Sequence, residues 1–182
     1  MRIIAGKYRG RRLAVPAGRC VRPTGDRMKE SIFSALGQAC SRATVLDLFA
    51  GSGALGLEAL SRGAAGATFV DKGRGAIGVL KKNIMALSAE SLCRVVQAEV
   101  FSFLGNLEQA SSFDLVFADP PFEGDSAQLI LSRWLEGRLG RSTLILEYPT
   151  KSPPEVPGQA VPAAKTGHFG ESSYSIYLPD EH

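Results

Sequence analysis

The sequence is poor in the residues that build metal centres and disulfide frameworks. It contains three cysteines and two histidines among 182 residues, and Cys20, Cys40 and Cys93 form neither a CxxC pair nor a cluster with histidine. This spacing predicts reduced thiols and no metal site. Long apolar runs are also missing, since none approaches the roughly 20 residues that span a bilayer, and the opening residues lack the apolar middle of a signal peptide. We therefore expect a cytoplasmic protein that has no membrane partner.

The remaining composition is typical of one folded domain. Hydrophobic residues make up 45% and charged residues 21% of the chain, as in ordinary globular proteins, and a chain of this length buries a core without metals or disulfides. We expect a single domain over residues 1–182, in which residues 1–38 form a basic hairpin and helix and residues 44–182 form the core. No long unpaired apolar stripe demands a dimer, so a monomer is expected.

Positive charge is concentrated at the start of the chain. The net charge is +3, but residues 1–30 carry +7 and the remainder carries −4. Such asymmetry favours a surface that faces a polyanion, although a solvated, repulsive tail would have the same composition. Apolar residues such as Ile3, Tyr8 and Leu13 recur between the charges and favour a short hairpin. The candidate polyanion contacts are Arg2, Lys7, Arg9, Arg11, Arg12, Arg22 and Arg27.

From residue 44 onward, short apolar runs alternate with stretches of helical periodicity. This alternation predicts a Rossmann-like α/β fold with a mostly parallel sheet and helices on both faces. A further helix, 26–36 with Asp26 as its possible N-cap, should pack beside this core. The predicted strands are 45–48, 67–70, 94–97, 113–118 and 143–147, and the predicted core helices are 54–61, 76–87, 101–107 and 126–135.

The C-terminal part of the chain predicts a change of strand direction. Residues 149–162 are rich in proline and indicate a loop. After them, two strand-like runs, 161–165 and 173–178, flank Gly167-His168-Phe169-Gly170. This pattern predicts an antiparallel hairpin that completes a seven-stranded sheet, with His168 in its turn as an ordinary loop residue.

The tetrad Asp119-Pro120-Pro121-Phe122 directly follows the apolar run 113–118. Each proline fixes its own φ and offers a carbonyl acceptor but no N–H donor. An exocyclic amine has two N–H donors, so Asp119 and a neighbouring carbonyl could hold both while the Phe122 ring stacks on a planar base. The tetrad therefore predicts a pocket for an amine-bearing nucleobase, and an ordinary Pro-Pro turn with a solvated or capping Asp119 is the alternative.

A glycine-rich loop follows the first predicted strand and opens its helix. Its candidate ligand-binding residues are Asp47, Phe49, Gly51, Ser52 and Gly53. The GxGxxG spacing also fits a dinucleotide fingerprint, with Asp71 placed where a ribose-binding acid belongs. A carboxylate at position 47 would tend to repel a pyrophosphate, whereas it suits the α-ammonium group of S-adenosylmethionine. The charge of the cofactor therefore favours the methyl donor.

Two further acids follow the next two strands. Asp71 offers two acceptor oxygens that could receive both ribose hydroxyls, and Glu99 could receive the adenine amine. Ligands of open parallel sheets bind beyond the carboxyl ends of the strands, where both acids and the tetrad fall. Each acid could also be a surface group or a helix cap.

The chain resembles the bacterial 16S ribosomal RNA guanine-N2 methyltransferase family, the RsmD type, over almost its whole length. The glycine loop alone would match many methyltransferases, but the basic N-terminal motif combined with the tetrad is far narrower. The matching stretches are 2–6 with 9–11, 22–27 with Glu30 and Phe33, 47–64, and 119–122.

This resemblance implies a Rossmann-like S-adenosylmethionine-dependent methyltransferase fold. It implies S-adenosylmethionine as donor and a guanine N2 amine of 16S ribosomal RNA as acceptor, within assembled or assembling small ribosomal subunits. By position it assigns the tetrad to the target base, residues 47–53 to the methionine end of the donor, Asp71 to the ribose and Glu99 to the adenine. It places Thr24, Asp26 and Arg27 near the cofactor or RNA mouth. Asp71 stands where the family often has Glu, which leaves the ribose geometry open.

Other acceptors and activities remain open from the residues alone. An adenine-N6 or cytosine-N4 methyltransferase, or an enzyme that methylates a protein glutamine, would also hold an amine between acidic or amide and proline acceptors. A nicotinamide-dependent oxidoreductase fits the glycine spacing but not Asp47 or the tetrad. A non-catalytic RNA-binding module would not need intact acidic and glycine positions.

Overall fold

The computed structural model describes residues 1–16, 23–107 and 113–179, with the side chains of Pro23 and Thr24 left out. Its centre is one seven-stranded sheet in the order β3-β2-β1-β4-β5-β7-β6. Strands β1 to β5 are parallel, whereas β7 runs antiparallel to both of its neighbours. The predicted seven-stranded sheet with a C-terminal antiparallel hairpin is confirmed. The strands are β1 (Thr44–Leu48), β2 (Gly66–Asp71), β3 (Cys93–Gln97), β4 (Leu115–Ala118), β5 (Thr143–Pro149), β6 (Lys165–Phe169) and β7 (Ser172–Tyr177).

Helices cover both faces of the sheet. Along β4, Leu115 and Phe117 join one apolar cluster, while Val116 and Ala118 join the other. Both faces of this strand are therefore buried, which explains why its sequence is continuously apolar and not alternating. The helices are α1 (Pro23–Leu36), α2 (Ala54–Ser61), α3 (Arg74–Ala86), α4 (Val100–Gly105) and α5 (Ser126–Leu135), with short 3-10 turns at Gly37–Cys40 and Glu90–Leu92.

The first helix begins earlier than its apolar pattern indicated. Helix α1 begins at Pro23, so Asp26 lies in its first turn and is not its N-cap. Proline suits this position because an N–H group in the first turn would have no partner within the helix. The predicted N-cap role of Asp26 is therefore wrong.

The C-terminal hairpin is present, but its first strand lies elsewhere than predicted. Strand β6 contains Gly167 and His168, and the turn falls at Gly170, whose φ is +68°. A side chain at Gly167 would overlap the ring of Tyr174 on β7, so this glycine serves strand packing and not a turn. His168 is consequently a strand residue, and its Nδ1 lies 2.8 Å from the Ser173 hydroxyl.

The basic N-terminal segment folds back on itself and docks on α2. The Ile3 N–H donates to the Arg11 carbonyl at 2.9 Å, and the Gly10 N–H donates to the Ile3 carbonyl at 2.9 Å. The Tyr8 N–H donates to the hydroxyl of Ser61 on α2 at 2.9 Å. A solvated tail does not describe this segment, which we call the N-terminal hairpin (residues 1–13).

A buried carboxylate on α2 holds this hairpin in place. Glu58 is fully buried and accepts hydrogen bonds from the N–H groups of Ile4 at 2.7 Å and Ala5 at 3.1 Å. Its charge is balanced by Arg62, with Nε at 2.9 Å, and by Lys29 of α1, with Nζ at 3.6 Å. Because a buried charge is tolerated only when it is paired, Glu58 fixes the hairpin, α1 and α2 relative to one another.

Candidate active site

The glycine loop and the tetrad meet where the order of the sheet reverses. Strands β1 and β4 are neighbours, although β2 and β3 separate them in the chain. Leu48, the last residue of β1, pairs with Ala118, the last residue of β4. The loop that follows β1 and the tetrad that follows β4 therefore leave the sheet side by side. Open α/β sheets bind their ligands at this kind of switch point.

The glycine loop has a strained backbone. Phe49, Gly51 and Gly53 have φ of +55°, +56° and +78°, and only the two glycines adopt such values without cost. A left-handed phenylalanine costs about 1 kcal/mol or more. Phe49 is held there by packing, with its ring edge-on to Phe101 at 6.3 Å between centroids. A tight loop with one residue in a strained backbone conformation is common at ligand-binding sites.

Asp47 is the most deeply buried carboxyl group of the site. It is 2% exposed and accepts one hydrogen bond, at 2.9 Å, from the N–H of Gly56 on α2. Burial, against the opposing hydrogen bond and together with the nearby carboxyl groups of Asp119 and Asp71, raises its pKa to about 8. A carboxyl group in this environment favours a cationic partner, because a cation restores the charged form.

Three carboxyl groups share one cavity at the switch point. The cavity has a volume of about 150 Å³, and Asp47, Asp119 and Glu147 all line it. Residues of the glycine loop form one wall, and Met28 and Lys29 of α1 contribute to another. Asp47 and Asp119 were predicted from the sequence to lie at this edge of the sheet, whereas Glu147 was not. The sequence did contain a signal for Glu147, because this acid directly follows the apolar run of β5, the strand next to β4.

The other two predicted cofactor acids hold the backbone of their own loops. The Asp71 carboxylate accepts hydrogen bonds from the N–H groups of Gly51 at 2.8 Å and Gly73 at 2.7 Å. Glu99 caps α4 by accepting from the N–H of Ser102 at 2.8 Å. Asp71 therefore links the end of β2 to the glycine loop. Each carboxylate keeps further lone pairs that a ligand can use.

The tetrad passes from the buried core to the surface. Asp119 is half-buried and Pro120 is buried, whereas Pro121 and Phe122 are exposed. Phe122 has 42% of its surface exposed, which is high for a phenylalanine beside a deeply buried strand. An exposed ring next to an acidic cavity can stack on a planar ligand.

Six of the predicted polyanion contacts are exposed, and three of them surround a second cavity. Arg2, Arg9 and Arg27 line this cavity of about 340 Å³ together with Asp26 and Glu30. The two cavities flank the same stretches of chain, since residues 1 and 25 line the first, and residues 2 and 26 line the second. A basic groove therefore lies beside the acidic cavity.

The remaining predicted contacts are more dispersed. Lys7 and Arg12 lie exposed on the N-terminal hairpin, and the Arg11 guanidinium donates to the Ala86 carbonyl at the end of α3 at 2.6 Å. Arg22 and the side chain of Thr24 lie outside the described part of the structure.

Two kinds of feature are absent from the described residues. Within residues 1–16, 23–107 and 113–179, His, Cys, Asp and Glu side chains form no group of three that could hold a metal ion. In the same residues, no helix has both the length and the apolar character needed to cross a membrane.

The strand order, the glycine loop after β1 and the acid that ends β2 define the Rossmann-like fold of S-adenosylmethionine-dependent methyltransferases. The yhhF protein of Escherichia coli has the same fold with a TM-score of 0.85 and 37% identity, over 100% of this chain and 99% of that one. The Thermus thermophilus 16S rRNA N2 G1207 methyltransferase, at 21% identity and a TM-score of 0.63, shares the fold over 91% of this chain and 45% of its own.

The chain belongs to the family described as "Conserved hypothetical protein 95", whose model matches residues 1–178. It is 37% identical to the ribosomal RNA small subunit methyltransferase D of Haemophilus influenzae, over 97% of this chain and 93% of that relative. It is 48% identical over 122 residues to the Escherichia coli protein of the same name, and this match covers 67% of the chain and 60% of that relative's length. The resemblance to the RsmD type is thereby confirmed.

Proposed function

We propose that this protein transfers a methyl group from S-adenosylmethionine to the exocyclic N2 amine of a guanine in 16S ribosomal RNA of the small subunit. One observation carries the proposal: Asp47, near the end of β1, and Asp119, the first residue of the tetrad, line the same cavity. The first suits a cationic donor and the second suits an amine acceptor. The names of the relatives, which are ribosomal RNA small subunit methyltransferases, support the choice of RNA.

The charges of the cavity fit the donor. S-adenosylmethionine carries an ammonium group and supplies an electrophilic methyl group on its sulfonium. Asp47 would hold the ammonium end, because a cation stabilises the ionised form of a carboxyl whose pKa burial has raised to about 8. The glycine loop would let the ligand approach the backbone, and Asp71 and Glu99 would receive the ribose and the adenine amine with their remaining lone pairs.

The tetrad would bind and orient the acceptor. A base in a stacked helix hides its amine, so the guanine would have to leave the stack at a cost of a few kcal/mol. Stacking on the exposed Phe122 ring, worth roughly 1–3 kcal/mol, offsets part of this cost. Asp119 and a proline carbonyl would accept the two N–H bonds and so direct the nitrogen lone pair towards the methyl carbon. Alignment of this kind can supply most of the rate of such a transfer.

Asp119 would act first as an acceptor and later as a base. The amine gains positive charge as it attacks, and a fixed carboxylate stabilises that charge where it develops. Proton removal becomes easy only after the new bond has begun to form, because an aspartate is too weak a base to deprotonate the neutral amine.

The basic groove would guide the RNA strand to the cavity. Arg2, Arg9 and Arg27 surround the second cavity, which adjoins the first along two segments of chain. Guanidinium groups bind phosphates in bidentate fashion. A strand held there would present one flipped nucleotide to the tetrad.

Methyl transfer to small-subunit particles from cells that lack this protein tests the proposal. With radiolabelled donor and nucleoside analysis, we expect N2-methylguanosine as the labelled product. A labelled N6-methyladenosine or N4-methylcytidine would overturn the acceptor assignment, and absence of labelled RNA would overturn the activity. Asp119→Ala should abolish transfer while donor affinity in calorimetry stays unchanged.

The salt dependence of particle binding tests the groove. Replacing Arg2, Arg9 and Arg27 by alanine should weaken binding and reduce the slope of log K against log salt by roughly 0.7–0.9 per lost phosphate contact. Arg138→Ala, at an exposed arginine after α5, is the matched control. Equal slopes in the triple variant and the control would exclude the groove as the RNA path.

A further inference from the structure

Strand β5 brings a second carboxyl group to the side of Asp119. Ala118 pairs with Leu146 in the parallel register of β4 and β5, so Asp119 and Glu147 each stand one residue beyond this pair. Neighbouring strands lie about 4.8 Å apart. Both side chains line the acidic cavity, so a base whose amine reaches Asp119 brings its adjoining edge close to Glu147.

The Glu147 carboxyl group is half-buried. The causes of its raised pKa are burial and two neighbouring carboxyl groups, and no hydrogen bond is among them. The residues with ionisable side chains that share its cavity are Asp47 near the end of β1, Asp119 after β4 and Lys29 of α1, and Met1 also lines it. Lys29 is engaged with Glu58 and with the Arg2 carbonyl.

These surroundings favour the neutral acid at position 147. Burial raises the pKa of Glu147 well above its ordinary value, and the carboxyl groups of Asp119 and Asp47 raise it further. A protonated carboxyl group offers one O–H donor and one carbonyl acceptor side by side. A ligand with an acceptor next to a donor can satisfy both at once.

Guanine presents such a pair beside its amine. Along one edge it carries the N2 amine, the N1–H donor and the O6 acceptor in that order. With the amine at Asp119, the next two groups match the acceptor and the donor of a carboxylic acid. Adenine and cytosine have a bare ring nitrogen next to the amine, so they offer no N–H donor at that position and match the acid at one point only.

We propose that Glu147 binds the N1–H and O6 groups of the target guanine while Asp119 accepts its N2 amine, so that Glu147 selects guanine over the other amine-bearing bases. This inference rests on the proposed function and adds the residue that would set its base specificity.

A pair of substitutions separates this role from a structural one. Glu147→Gln keeps a donor and an acceptor in the same places, so kcat/KM for small-subunit particles should stay within a few fold of the unaltered protein. Glu147→Leu fills the space without polar groups and should lower kcat/KM roughly 10- to 100-fold, as expected for two lost hydrogen bonds. Glu155→Ala, at an exposed loop position, is the matched control.

A base analogue gives a readout that folding cannot mimic. 2-Aminopurine keeps the amine but lacks both N1–H and O6, and it can be placed at the methylated position of reconstituted subunits once that position is mapped. We expect Glu147→Leu to lower kcat/KM clearly less with 2-aminopurine than with guanine, because the bare N1 of the analogue can meet the acid at one point only. An equal penalty with both bases would overturn the role of Glu147.

The two levels of the proposal fail in different ways. If the unaltered protein makes a product other than N2-methylguanosine, the proposed function is wrong. If it makes N2-methylguanosine and Glu147→Leu does so with the same kcat/KM, only the role of Glu147 is wrong. A loss of activity in Glu147→Gln as large as in Glu147→Leu would also overturn it, because the amide preserves the proposed contacts.

Discussion

Replacing Asp47 by asparagine should stabilise the unliganded protein and weaken its binding of a cationic donor. The asparagine side chain keeps an oxygen that accepts the Gly56 N–H, so the known hydrogen bond survives. Only the ionisable group is lost. The substitution therefore isolates the cost of holding a carboxyl group in this buried place.

The magnitude follows from the pKa of Asp47. Its folded value of about 8 lies above the ordinary value of 3.8, so the folded protein binds the proton more tightly than the unfolded chain. Folding stability is therefore fully present below pH 3.8 and falls as the pH rises towards 8. At 1.36 kcal/mol per pKa unit, the carboxyl group costs between about 1 and 2 kcal/mol at pH 5 and between about 4 and 5 kcal/mol at pH 7.

Urea unfolding at these two pH values measures the effect. The advantage of Asp47→Asn over the unaltered protein should grow by about 3 kcal/mol between pH 5 and pH 7, because these values lie two units apart at 1.36 kcal/mol per unit. Both proteins contain the other ionisable groups of the cavity. The contribution of these groups to the pH dependence therefore largely cancels when the two proteins are compared at the same pH. Glu155→Gln, at an exposed position, should show no such growth. An advantage that does not change with pH would refute the reasoning.

Donor binding supplies the functional half of the same prediction. A cation at Asp47 favours the ionised carboxylate, so binding of S-adenosylmethionine at pH 7 should release close to one proton from the unaltered protein. Calorimetry in two buffers of different ionisation enthalpy measures this release. Asp47→Asn should bind at least about tenfold more weakly, which is the loss of about 1.4 kcal/mol, and should release none.

Three further substitutions test the packing and the surface. Glu58→Ala leaves Lys29 buried without its partner and should lower the free energy of unfolding by about 3–5 kcal/mol in urea titrations, whereas a loss below about 1 kcal/mol would contradict the anchoring role. Gly6→Ala would place a side chain against the Ser61 carbonyl, at a residue whose φ is +82°. It should lower Tm by several degrees and make the amide hydrogens of the N-terminal hairpin exchange faster, and unchanged exchange would contradict this prediction. Phe122→Ala should leave Tm unchanged, because the ring is 42% exposed, and should lower the affinity for RNA particles roughly 5- to 100-fold; unaltered affinity would exclude stacking.

The part of the site that sequence alone predicted is the part built from consecutive residues. The tetrad and the glycine loop each combine a strand, a rigid or flexible turn and an acid within about ten positions, so local rules identify them. The alternation of β and α elements then predicts a mostly parallel sheet, whose ligands bind beyond the carboxyl ends of the strands. Asp47 and Asp119 are consequently predicted from the sequence to lie at one edge of the sheet.

The missed features depend on contacts between distant segments. Glu147 becomes part of the cavity only because β5 is the neighbour of β4, and sequence order does not reveal that register. The first strand of the C-terminal hairpin was misplaced because Gly167 looks like a turn residue. In the fold it makes room for the ring of Tyr174, a requirement set by a residue on another strand.

The docking of the N-terminal hairpin links the basic groove to the cofactor loop through one short helix. Helix α2 is eight residues long. Near its start the Gly56 N–H holds Asp47, and one half-turn later Glu58 holds the hairpin backbone at Ile4 and Ala5. A helix of two turns has no room to bend between these points. The arginines that would meet the RNA and the carboxylate that would meet the donor are therefore fixed on one rigid support, which is the arrangement that aligning two separate substrates requires.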